Sequence, residues 1–147
     1  MDLTGEIVVS VALVVGSVTD LRDRVIPDVL TLPAAGLVAL SGLVAGPPFP
    51  SLLAGLLTAT MICLPLGAIS ILRPASFGMG DVKLIAVMAL AAGPAVWLPL
   101  VAGFGIATIF GFLRALSRGG RPGETTLPLA PFLAVPGVAF FGSAAIF

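Results

Sequence analysis

Long stretches of this chain carry no charge at all. Ile7–Thr19, Val29–Leu72, Leu84–Leu113 and Leu127–Phe147 contain no Asp, Glu, Lys or Arg. A helix needs ~20 mostly apolar residues to cross a bilayer, and a soluble domain cannot hide this many. The charged fraction is 10% and the mean hydropathy +1.21, against about a quarter charged in ordinary soluble domains. The expectation is an all-α, polytopic membrane protein. Residues 1–147 form a single domain, because no polar stretch is long enough to fold by itself. The acidic start, Met1-Asp2-Leu3-Thr4-Gly5-Glu6, lacks the positive charge of a cleavable signal peptide.

Charged or Pro/Gly-rich breaks divide the apolar runs into six candidate spans. These are roughly Leu3–Val25, Val29–Ala45, Ser51–Leu72, Val82–Gly93, Val96–Leu113 and Leu127–Phe147. The joints alternate in character. Arg22 and Arg24, then Arg73 and Lys83, then Arg114, Arg118 and Arg121 flank every second joint, whereas 45–51 and 91–96 carry no charge. All seven basic residues therefore fall on one side of a six-span plan. The positive-inside rule makes that side the cytoplasm and leaves both termini outside. This orienting role accounts fully for the basic 114–124 segment.

Composition also removes whole chemistries. The chain has no histidine and no tyrosine, which excludes His-assisted Ser or Cys nucleophiles and His-based zinc motifs. Its one cysteine, Cys63, lies mid-span. It can form neither an internal disulfide nor a Cys₄ zinc site, and without a basic neighbour it reads as packing. There is no phosphate-cradling GxxxxGK[ST] loop and no basic-aromatic surface for nucleic acid. Any acid–base chemistry here falls to carboxylates, with no metal or cofactor called for.

Depth distinguishes the acids near the cytoplasmic side, Asp20, Asp23, Asp28 and Asp81. From Val82 to Gly93 is twelve residues, or ~18 Å of helix, well short of a ~30 Å hydrocarbon core. Asp81 then sits below the inner surface. Counting from Glu6 at the outer face, Ile7–Thr19 is thirteen residues, or ~20 Å, which puts Asp20 at a similar depth. Two acids on different helices at matching depth are able to meet. Asp81 has a competing reading as an N-cap. That explains the Asp but not Gly78 and Gly80, which permit positive φ and close backbone approach. Asp20 lies near a helix C-terminus, where the dipole disfavours an anion. Its plain reading is an i,i+4 pair with Arg24, yet an ionisable group at membrane depth is a functional candidate by default. Asp23 reads as a surface acid, Asp28 as the N-cap of the second span, and Lys83 as a snorkelling charge that helps set topology. Glu124 and Arg73 read as loop charges.

Two segments carry a family resemblance. "TDLRDRVIPDVLTLP" (19–33) and "FGMGDVKLIA" (77–86) resemble the first-Asp and Gly-x-Gly-Asp segments of the prepilin and preflagellin peptidases, the GxGD membrane aspartyl proteases. "LPLAPFLAVPG" (127–137) is similar to that family's Pro-Phe-rich last span. The resemblance implies catalytic aspartates at Asp20 and Asp81, the two that the depth reading selects, with Gly78 and Gly80 shaping the site. It implies cleavage of the leader peptide of a type IV prepilin or pseudopilin precursor on the cytoplasmic face of the cell membrane, after a Gly and before a hydrophobic helix. Larger members add a cysteine-containing region and N-methylate the new terminus. This chain resembles the short members, so methyltransferase activity is not expected. Asp28 stands where the family has Asn, a departure. Pilus, secretion, competence and archaellum substrates stay open, as does oligomeric state.

Two other functions fit paired membrane acids. One is a proton-coupled transporter or channel, although six short spans without a repeat of discontinuous helices argue against it. The other is a non-catalytic membrane scaffold of the same fold.

Overall fold

The computed structural model describes residues 3–23, 25–44, 48–72, 78–118 and 128–144. Among the described residues the chain forms six α-helices and one 3-10 turn, with no strand. They are α1 (Leu3–Asp23), α2 (Asp28–Val44), α3 (Pro48–Leu72), α4 (Met79–Ala92), the turn Gly93–Val96, α5 (Trp97–Arg118) and α6 (Ala130–Ala144). Each expected span has its helix, with ends shifted by a few residues. Leu3–Asp23, Leu52–Leu72 and the run Met79–Ser117 are long and apolar enough to cross a membrane, and Asp28–Val44 and Ala130–Ser143 are shorter apolar helices.

The burial pattern of α1 is the reverse of a soluble helix. Its buried residues are Gly5, Glu6, Val9, Ala12, Leu13, Gly16, Ser17 and Asp20, a 3-and-4 spacing that keeps them on one face. That face is rich in small and polar groups, while Ile7, Val11, Val14, Val18 and Leu21 point outward. Lipid is as apolar as leucine, so membrane helices associate through close packing and interhelical hydrogen bonds rather than by hiding apolar surface. Glu6, in the first turn of α1, is buried on this inner stripe.

The interior is built on α4, which packs against α1, α2, α3 and α6. Val82, Leu84, Ile85, Val87, Met88 and Ala89 are all buried along it. Glycines set the closest approaches. A β-carbon at Gly55 of α3 would stand 2.5 Å from the Leu90 carbonyl oxygen of α4. One at Gly137 of α6 would stand 2.6 Å from Leu13 of α1. Helices α1 and α6 run antiparallel, since Leu13 meets Gly137 while Ser17 and Asp20 meet Ala130. On its other side α6 carries α5, where Phe110 and Phe132 pack with ring centroids 5.3 Å apart.

Helix ends follow local chemistry. Gly93, at φ +54°, ends α4 in a left-handed conformation that an L side chain resists. Helix α1 stops at Asp23, and Val25–Pro27 are non-helical, in keeping with the restriction Pro27 places on the residue before it.

Candidate active site

Asp20 lies one turn from the end of α1 and is 8% exposed, whereas Leu21, Arg22 and Asp23 beside it are exposed. Its place on the inner stripe fixes this, three residues after Ser17 and four after Gly16. Its Oδ2 accepts a hydrogen bond from the backbone N–H of Ala130, 3.2 Å away, at the first residue of α6. The acid that looked badly placed at the C-terminus of its own helix thus sits at the N-terminus of another. Partial positive charge and an orphan donor both favour a carboxylate there. The expected pair with Arg24 lies outside the described residues.

Helix α4 begins at Met79, three residues earlier than its expected span, with Gly78 as N-cap in an extended conformation (φ −75°, ψ 137°). Asp81 is therefore not the N-cap but the third helical residue. Its amide bonds the Gly78 carbonyl at 3.1 Å, and its carboxyl turns back toward the Gly78 amide. Neither glycine of the Gly-x-Gly-Asp segment has positive φ; close approach explains both. A β-carbon on Gly78 would lie 3.2 Å from Asp81 Oδ2. One on Gly80 would lie 2.9 Å from the Ile26 β-carbon and 3.4 Å from its backbone nitrogen. Gly80 thus lets the α1–α2 connection rest on the first turn of α4, joining the two sequence segments in space.

Asp20 and Asp81 lie on α1 and α4, which pack against one another. Asp81 Oδ1 is buried without a hydrogen-bond partner. An unpartnered carboxyl oxygen is costly to keep in a packed interior, which marks this position as a functional candidate. Thr31 Oγ1 and Arg114 Nε are the other buried side-chain atoms without partners among the described residues.

The remaining charges stand apart from this pair. Asp28 is the first residue of α2 rather than its cap, since the Pro27 carbonyl accepts the first helical bonds from Leu30 and Thr31. It forms an ion pair with Lys83, which ties α2 to α4 at a partly exposed rim. Lys83 was expected to snorkel to the surface, and its partly exposed amine meets the Asp28 carboxylate there. Cys63 is half-buried on α3, its Sγ 3.5 Å from the Val82 carbonyl oxygen. Arg73 and Glu124 lie outside the described residues. Among the described residues no group of three or more His, Cys, Asp or Glu could hold a metal.

Sequence reasoning did not single out Ser17, and it marked 127–137 only as a family-like last span, without assigning Ala130 a part in the site. Ser17 Oγ donates toward the Leu13 carbonyl at 2.7 Å and the Ala130 carbonyl at 3.2 Å. Its spacing from Asp20 was visible in the sequence. That Ala130 would meet both residues, more than a hundred positions away, was not.

Residues 7–116 match the model of the type IV leader peptidase family. This chain belongs to that family. As a type IV leader peptidase relative it is a membrane protein of the leader-peptidase protease class, and the match includes Asp20, Asp81 and both segments around them. It ends ahead of α6, whose first residue holds Asp20. No curated protein and no solved structure matches the chain.

Proposed function

We propose that the protein is an intramembrane-type aspartyl endopeptidase that removes the leader peptide of type IV prepilin-like precursors. The observation that carries this reading is the match of residues 7–116 to the type IV leader peptidase family, supported by Asp20 and Asp81 lying on the packed helices α1 and α4 with Asp81 Oδ1 unpartnered. Two neighbouring carboxyls do not both ionise cheaply and so share one proton. The ionised member takes a proton from water, whose oxygen attacks the scissile carbonyl carbon. The protonated member donates to the carbonyl oxygen as the tetrahedral intermediate forms. As that intermediate collapses, one of its hydroxyls returns a proton to the carboxylate that donated, the C=O re-forms, the C–N bond breaks, and the proton held by the base passes to the leaving nitrogen. The products are a carboxyl terminus on the leader and a new amino terminus on the mature chain. The pair titrates as a unit, and no metal or cofactor takes part.

The catalytic pair opens on the cytoplasmic face of the cell membrane, in a six-span arrangement with both termini outside. Seven basic residues on one side support that orientation. Water reaches the site through a cytoplasm-facing cavity, as a hydrolytic reaction at membrane depth demands. The precursor is cut after a Gly, and its following hydrophobic helix docks laterally.

Co-expression with a type IV prepilin precursor tests this. Wild-type protein is expected to shorten the precursor and expose a new N-terminus just after the Gly, while Asp81→Asn leaves it full length. An unshortened precursor with wild type, or equal shortening with Asp81→Asn, contradicts the reading.

A further inference from the structure

Helix α6 begins in an unusual way. Leu129 supplies the carbonyl that accepts the first helical bonds, from Phe132 at 3.0 Å and Leu133 at 3.2 Å. Ala130 is the first helical residue and Pro131 the second. A helix ordinarily presents several orphan N–H groups at its start. Here Pro131 has no N–H, and those of Phe132 and Leu133 are engaged with Leu129. The amide left over is that of Ala130, and Asp20 Oδ2 takes it. Ser17, one turn before Asp20 on the same buried face, shares its hydroxyl proton between the Leu13 carbonyl of its own helix at 2.7 Å and the carbonyl of Ala130 at 3.2 Å. The N–H and the C=O of one residue of α6 are thus both met by α1, from positions 20 and 17.

We infer that this clasp positions the catalytic carboxylate: the Ala130 amide fixes the Asp20 carboxyl, and Ser17 fixes Ala130. The inference rests on the peptidase reading above and assigns Ser17 as a positioning residue that does not touch the substrate. A carboxylate near a helix end swings among rotamers unless held, and displacements on the order of 1 Å can cost about 100-fold in rate. Ser17 contributes to the fold one interhelical hydrogen bond between α1 and α6, a modest term. Alanine is a better helix former than serine, and truncation removes one oxygen from a tightly packed face.

The test is leader cleavage by purified protein in detergent, with a type IV prepilin precursor as substrate. Ser17→Ala is expected to lower kcat by about 10-fold or more, with KM within about twofold and the thermal unfolding midpoint unchanged. Ser17→Thr restores the hydroxyl and is expected to recover most of kcat. Wild-type kcat in Ser17→Ala overturns the inference, as does a kcat loss matched by a lower unfolding midpoint. The inference is likewise overturned by a kcat loss that Ser17→Thr does not relieve while its midpoint holds. Wild-type protein and Asp20→Asn run alongside separate the two claims. Absent cleavage by wild type, or full cleavage by Asp20→Asn, defeats the peptidase reading itself.

Discussion

A methyl group at position 80 would have nowhere to go. It would press on the β-carbon and backbone of Ile26, atoms that cannot swing aside as a side-chain tip can. Gly80→Ala is expected to cost about 1–3 kcal/mol by overpacking and to lower the unfolding midpoint in detergent. It should reduce cleavage as well, because the α1–α2 connection is pushed off α4. Gly36→Ala is the control. A β-carbon there meets nothing within 4 Å, so it should be neutral or slightly stabilising. Among the acids, Asp23 is exposed at the end of α1, and Asp23→Asn is expected to keep measurable cleavage. Counting residues inward from the apolar boundaries picks out Asp20 and Asp81 by spacing, and the structure buries Asp20 and the Oδ1 of Asp81. The glycines were legible only in part. Close approach was foreseeable, whereas the expected positive φ was not met, since Gly78 is extended and Gly80 lies within the helix.

At the scale of the element, each helix was announced by a charge-free run, but its ends were decided by local contacts. Helix α4 starts at Met79 because Gly78 can serve as an extended cap, which moves Asp81 inside the first turn. Asp28 and Lys83 illustrate what a single sequence hides. Each had an adequate local explanation, yet they pair across α2 and α4 over fifty-five positions. That pair is partly exposed on both sides, so its worth is about 1 kcal/mol or less. Lys83→Met is expected to leave the unfolding midpoint nearly unchanged, and a large drop would show that the rim pair holds α2 in place. The clasp between α1 and α6 was invisible for another reason. No pattern within 127–137 tells which distant carboxylate will meet the Ala130 amide.

For the molecule as a whole, an apolar interior centred on α4 admits a few polar groups, Glu6, Ser17, Asp20, Thr31 and Ser70 among the described residues, while many large apolar side chains face outward, as expected of helices solvated by lipid. The orientation rests on charge, and it can be checked in a Cys63→Ala background. A single cysteine at Ser117, beside the basic 114–121 segment, is expected to react with a membrane-impermeant maleimide only from the cytoplasmic side. A cysteine at Asp2 is expected to react only from outside. The opposite pattern would turn the site away from the cytoplasm. The central claim is that Asp20 and Asp81 act as one hydrolytic pair. Asparagine keeps the shape of aspartate and an oxygen for the Ala130 amide but cannot exchange the proton, so the Asn variants separate chemistry from folding. The decisive measurement is the rate of precursor cleavage by purified Asp20→Asn and Asp81→Asn in liposomes beside wild type. Loss of cleavage in both variants, with unfolding midpoints retained, is the expected result, and cleavage at the wild-type rate by either one would contradict it.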